Sequence, residues 1–113
     1  MVPGKYNIVC PQGSTFSQDL TYRVNDALVD LSSYEIRMQV REKYTSTSAV
    51  VSLDRIAGIT VPSLGTIRIT VAATTTATWI PKEYVYDIEL VSPSGVVSRI
   101  LEGKFIVTPE VTR

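Results

Sequence analysis

Residues 84–91 alternate strictly. Tyr84, Tyr86, Ile88 and Leu90 interleave with Val85, Asp87, Glu89 and Val91, the period of two that sends successive side chains to opposite faces of a sheet. Ser92, Pro93, Ser94 and Gly95 follow, and a second apolar run spans 96–107. Pro93 presets its own φ and Gly95 tolerates a positive one, so the pattern predicts strand, tight turn, strand at the centre of a sheet. Residues 34–43 alternate as cleanly. Tyr34, Ile36, Met38 and Val40 form an apolar row, and Glu35, Arg37, Gln39 and Arg41 form a polar one, as expected where one sheet face is core and the other is wet.

The rest of the chain follows the same rule in shorter pieces. A first strand over 5–10 closes at Pro11-Gln12-Gly13, and a second over 15–24 presents Phe16, Leu20, Tyr22 and Val24 before an Asn25-Asp26 turn. Residues 27–33 read as a connection that tucks Leu28, Val29 and Leu31 under the domain. Strands are predicted over 49–54, 56–61 and 66–73. Thr74 is placed to cap one helical turn that runs to Trp79 and stops at Pro81. Gly103 interrupts the last alternation and predicts a bulge or bend there.

Composition agrees with this pattern. Val, Ile and Thr supply 15, 10 and 13 of the 113 residues, and these β-branched types suit pleated, half-buried surfaces. The chain is long enough for one domain that buries up to about two-thirds of its extended surface. The expected fold is a single domain over 1–113. It is all-β, an immunoglobulin-like antiparallel β-sandwich of about seven to eight strands, with one short helical turn near 74–80.

Charge and chemistry narrow the function by exclusion. Eleven basic residues balance eleven acidic ones, so the basic excess of a nucleic-acid binder is missing, and self-association meets little net repulsion. No apolar run is long enough to span a membrane, and the N-terminus lacks the pattern of a signal peptide. Cys10 is the only cysteine. It reads as a small buried hydrophobe of a chain made in a reducing compartment. There is no histidine, which removes Ser-His-Asp and Cys-His catalysis and the commonest transition-metal ligand. Asp87 and Glu89 share a sheet face but read as solvated residues. No phosphate loop is present. The expectation is a protein with no enzymatic activity and no cofactor.

Two features read as candidate interfaces. Trp79 is the only tryptophan, either a core plug or an exposed anchor. The tail Pro109, Glu110, Val111, Thr112, Arg113 reads either as a frayed end or as an extended segment that joins a neighbour's sheet edge. Site residues proposed from sequence are therefore Trp79, Pro109, Val111, Thr112 and Arg113.

Residues 86–90, the Gly95 turn, residues 99–107 and 109–113, with the early segment 13–22, resemble a pattern in small tailed-bacteriophage proteins. They are similar to the N-terminal β-sandwich domain of phage baseplate upper proteins. The resemblance implies a virion structural protein, made in the host cytoplasm without a signal peptide and used as an assembly or adaptor module of the tail or baseplate. Its partners would be other phage virion proteins, in a homo-oligomer or repeated copies, with no nucleic acid and no membrane. A capsid decoration or neck protein is the nearest alternative. A carbohydrate-binding module using Trp79 and strand tyrosines is the alternative from another class.

Overall fold

The computed structural model describes residues 4–112. Among these residues, eleven strands and one short helix pack as two main sheets around one core. In chain order the elements are β1 (Gly4–Lys5), β2 (Ile8–Pro11), β3 (Phe16–Thr21), β4 (Arg23–Val24), β5 (Ala27–Leu28), β6 (Glu35–Arg41), β7 (Val51–Asp54), β8 (Ile59–Thr60), β9 (Thr66–Val71), α1 (Ala73–Thr76), β10 (Glu83–Val91) and β11 (Val97–Thr108). The larger sheet runs β1-β11-β10-β6-β7, with β2 following β1 along β11. The smaller runs β3-β9-β8, and β4-β5 is a separate hairpin. With the four two-residue pieces (β1, β4, β5 and β8) set aside, seven strands make the sandwich. Pairing between the strands is antiparallel except at the chain's start, where β1 and β2 both run parallel to β11, and an isolated Asp54–Gly58 bridge is parallel as well.

The expected faces hold. Ile36, Met38 and Val40 from β6, and Tyr84, Tyr86, Ile88 and Leu90 from β10, are all buried. They meet Phe16, Ile59, Ile67, Ile69 and Val71 of the smaller sheet. Phe105 sits in an aromatic cluster, edge-on to Phe16 and Trp79 with ring centroids 5.7 Å from each, and to Tyr86 at 6.4 Å. The Tyr84 hydroxyl donates to the Ile80 carbonyl at 2.6 Å. This is the tyrosine corner of immunoglobulin-like sandwiches, which fastens the start of β10 to the turn before it.

Several local expectations shift. The helix lies at Ala73–Thr76 with Ala72 at its N-cap, so Thr74 does not cap it. Thr76 is the anchor instead. Its buried hydroxyl donates to the Ser14 carbonyl at 2.8 Å and accepts from the Gly13 amide at 3.1 Å, tying the helix to the β2–β3 loop. Of the connection over 27–33, Leu31 is fully buried, Val29 half-buried and Leu28 exposed. Asn25 and Asp26 both take positive φ, 51° and 63°, and close the two-residue β4-β5 turn.

The bulge falls at Ile100 rather than at Gly103. Ile88 pairs with Leu101 and Glu89 with Arg99, which leaves Ile100 without a partner. Gly103 has another task. The N-terminal segment breaks at Tyr6 and Asn7 where it crosses β11, and a Cβ on Gly103 would overlap the Tyr6 carbonyl. The Asn7 side chain accepts the Lys104 amide at 3.1 Å, and the Tyr86 hydroxyl donates to the Tyr6 carbonyl at 2.6 Å. The break therefore leaves neither group unsatisfied.

Candidate functional site: an arginine-lined depression

The outward rows of β6, β10 and β11 come into register across the larger sheet. Arg37 stands beside Glu89, which stands beside Arg99; Gln39 stands beside Asp87, which stands beside Glu102; Arg41 stands beside Val85. The Ile100 bulge completes this arrangement. In a regular strand, residues three apart face opposite ways. The extra residue puts Arg99 and Glu102 on one face, 3.8 Å apart, while Ile100 and Leu101 both lean on the core. Above these rows lies an open depression of about 580 Å³ lined by Arg37, Arg41, Asp87, Glu89, Arg99 and the rim residue Tyr44, among others. That volume falls within the range of small-ligand sites.

The charges in it are not equivalent. Arg37 reaches Glu89 at 2.9 Å, and Arg99 reaches Asp87 at 3.2 Å. Arg41 makes no ion pair among the described residues. Its guanidinium is held by the Gln39 side-chain oxygen at 2.8 Å and the Ser46 carbonyl at 3.0 Å. Three guanidiniums against two carboxylates leave the lining with one excess positive charge, and Arg41 carries it.

Asp87 is the strained member. Partial burial pushes its carboxyl above the ordinary range, nearby Glu89 and Glu102 add to this, and Arg99 and Arg41 offset only part of it. A raised folded-state value means that the folded chain holds this proton more tightly than the unfolded chain does. The Asp87 contribution therefore favours folding at low pH and is lost as pH rises through the window just above the usual aspartate value. Asp87→Asn is expected to flatten that slope and to raise neutral-pH stability by no more than about 1 kcal/mol, because the group is partly solvated and Arg99 keeps Glu102. Thermal melts of both proteins from acid to neutral pH measure this.

The residues singled out from sequence lie elsewhere. Trp79 is only 6% exposed, packed against Phe105, with its carbonyl accepting from the Gln12 side-chain Nε2 at 2.9 Å. It is a core plug and offers no surface to a partner. Pro109 and Thr112 are exposed, and Val111 is 93% exposed. The Glu110 amide donates to the Gln12 side chain at 3.2 Å, which holds the tail against the β2–β3 loop without making it a strand. Arg113 lies outside the described residues. Cys10 is fully buried, and burial pushes its thiol up to about 11, so it is protonated and inert at neutral pH. Sequence reasoning put Arg37, Gln39 and Arg41 on a wet face, but not that this row lies against Asp87 and Glu89. The signal was present in the matching outward periods of residues 34–43 and 84–91, and only strand order joins them.

No family model matches the chain, and no curated protein matches it. A solved structure does. CopC from Methylosinus trichosporium OB3b has a similar fold, with a TM-score of 0.50 over 100% of this chain and 90% of that one, at 12% identity. The likeness is one of fold. It overturns the resemblance to phage baseplate proteins: the structural comparison leads to CopC, and nothing supports the phage virion role or its decoration and carbohydrate-binding alternatives. The reason is visible in the residues that carried the resemblance. Residues 86–90 and 99–107 are the alternating rows of β10 and β11, and Gly95 is the positive-φ residue of the turn between them. Any sandwich with this central hairpin needs that pattern.

Proposed function

We propose that this domain is a recognition module rather than an enzyme, and that it binds an anionic group, carboxylate or phosphate, in the depression over β6, β10 and β11. The observation that carries this reading is Arg41: a guanidinium oriented by Gln39 and Ser46, in no ion pair among the described residues, and lining the depression. An arginine fork fixed in this way suits bidentate capture of a planar or tetrahedral anion. Arg37 and Arg99 stand nearby, each already paired with a carboxylate, and add little net attraction for an anion.

The name CopC raises copper, and the donor set does not fit it. The sequence has no histidine. Cys10 and Met38 are both enclosed in the core, 0% and 1% exposed. Among the described residues no three His, Cys, Asp or Glu side chains come together. The one thiol is sealed in the core and offers no exposed nucleophile.

The test is a titration followed by amide and arginine side-chain resonances, with a glutamate-rich peptide in one arm and inorganic pyrophosphate in the other. Binding shifts should centre on Arg41, Gln39 and Val85. Arg41→Ala should weaken binding about tenfold to a hundredfold, the worth of a charge-assisted bidentate contact. Arg41→Lys should recover only part of this, because an ammonium lacks the fork. If neither anion moves these resonances, the reading fails.

A further inference from the structure

The smaller sheet ends on a bare strand. β3 pairs with β9 on one side and with nothing on the other among the described residues. The N-terminal strands do not cover this edge, because β1 and β2 are committed to β11. Which main-chain groups lie open follows from the ladder. The Tyr22 amide donates to the Gly65 carbonyl at 2.7 Å, one step beyond the Thr21–Thr66 pair. On the far side of β9 the Thr70 amide donates to the Gly58 carbonyl at 2.8 Å. Antiparallel pairing alternates, so residues 16, 18 and 20 turn their amides and carbonyls toward β9. Ser17, Asp19 and Thr21 turn theirs outward. The Gln18 side-chain amide lies over the Asp19 carbonyl at 3.3 Å, which confirms the direction and shields one acceptor.

Long free edges invite another strand. At six residues β3 is longer than the other edge strands of the two main sheets, β7 and β2 with four each and β1 and β8 with two each. It carries no lysine or proline to repel an approaching chain. We propose that β3 is a self-association edge, where two copies of this chain pair antiparallel about a two-fold axis to form one continuous six-stranded sheet. Asp19 is already held by Arg68, so the edge carries no net charge to oppose a second copy, and the side chains set the register. With Gln18 opposite its counterpart, Ser17 faces the partner's Asp19 and Asp19 faces the partner's Ser17. All four residues have outward main-chain groups, and each hydroxyl meets a carboxylate. A shift that sets Asp19 against the partner's Asp19 opposes like charges, which cross-strand pairs disfavour. The favoured contact is isologous and closes at two copies. The outward row around it is mostly small and neutral, with Ser17, Thr21, Thr66 and Thr70 flanking the single Asp19–Arg68 pair. The zero formal net charge adds no long-range barrier.

Sedimentation velocity on the whole chain, from low micromolar to near-millimolar concentration, tests this together with amide hydrogen exchange. The expected result is a reversible monomer–dimer equilibrium that stops at two copies, with the Ser17, Asp19 and Thr21 amides protected at high concentration. Ser17→Pro deletes an outward amide and spares the β9 ladder, so it should weaken the dimer at least tenfold at an unchanged melting temperature of the monomer. Should proline disturb the fold, Ser17→Asp sets carboxylate against carboxylate and should weaken the dimer likewise. Gln18→Ala uncovers the Asp19 carbonyl and should tighten it. A monomer at every concentration overturns the proposal. So does a dimer indifferent to Ser17→Asp, or growth past two copies.

Discussion

Replacing Ile88 by aspartate should leave the chain unfolded. Ile88 has no exposed surface and lies in the middle of β10, flanked by Met38 of β6 and Leu101 of β11. Arg37 of β6 and Arg99 of β11, which flank this stretch of β10, are held by Glu89 and Asp87 on the outward face. A carboxylate there must either ionise without a partner or take up a proton and leave its polar atoms unsatisfied, and the isoleucine packing is lost in both cases. Penalties of this kind exceed about 4–5 kcal/mol, which rivals the whole stability of a domain this size. Circular dichroism and a thermal melt decide the outcome. A cooperative melt near the wild-type temperature would mean that the β10 faces are misassigned.

Phe105→Ala should cost about 3–5 kcal/mol, the usual range for emptying a buried aromatic site. The position joins three parts of the fold. Its ring meets Phe16 of β3, Trp79 of the segment after α1, and Tyr86 of β10. Its backbone lies beside Ile8 of β2. The rings of three other segments touch a single side chain, so the cavity cannot close by moving one of them. Denaturant unfolding should show a lower midpoint with little change in slope. Trp79 fluorescence reports the same event locally, because its edge-on neighbour is gone. A loss below about 1 kcal/mol would show that the cluster repacks and does not hold the sheets together.

These two residues also show what a sequence makes visible. The burial of Ile88 was legible because alternation is a local property, written into residues 84–91 and into 34–43 independently. The role of Phe105 was less so, since its aromatic neighbours come from positions that only the folded topology joins. The bulge shows a third case. Gly103 looked like the interruption, but the glycine answers to the crossing Tyr6 backbone, and the irregularity sits at Ile100, a residue with no conformational mark of its own. The depression was half legible: its rows could be drawn strand by strand, but their neighbours could not. Trp79 misled for the opposite reason. A lone tryptophan has the same letter whether it packs on Phe105 or stands in water, and the helical turn at Ala73–Thr76 folds it inward.

The parallel seam between β2 and β11 has a mechanical meaning. It joins residues that are 97 positions apart, such as Ile8 and Phe105. The seam therefore closes only after nearly the whole chain exists, and the loop it closes is costly in entropy, so it should form late. Once formed, it resists force well. The two strands run side by side in the same direction, so tension on the two ends drags them past each other. Every bond of the seam is loaded at once, and none can be peeled open singly. A chain of such domains under tension would hold at this seam.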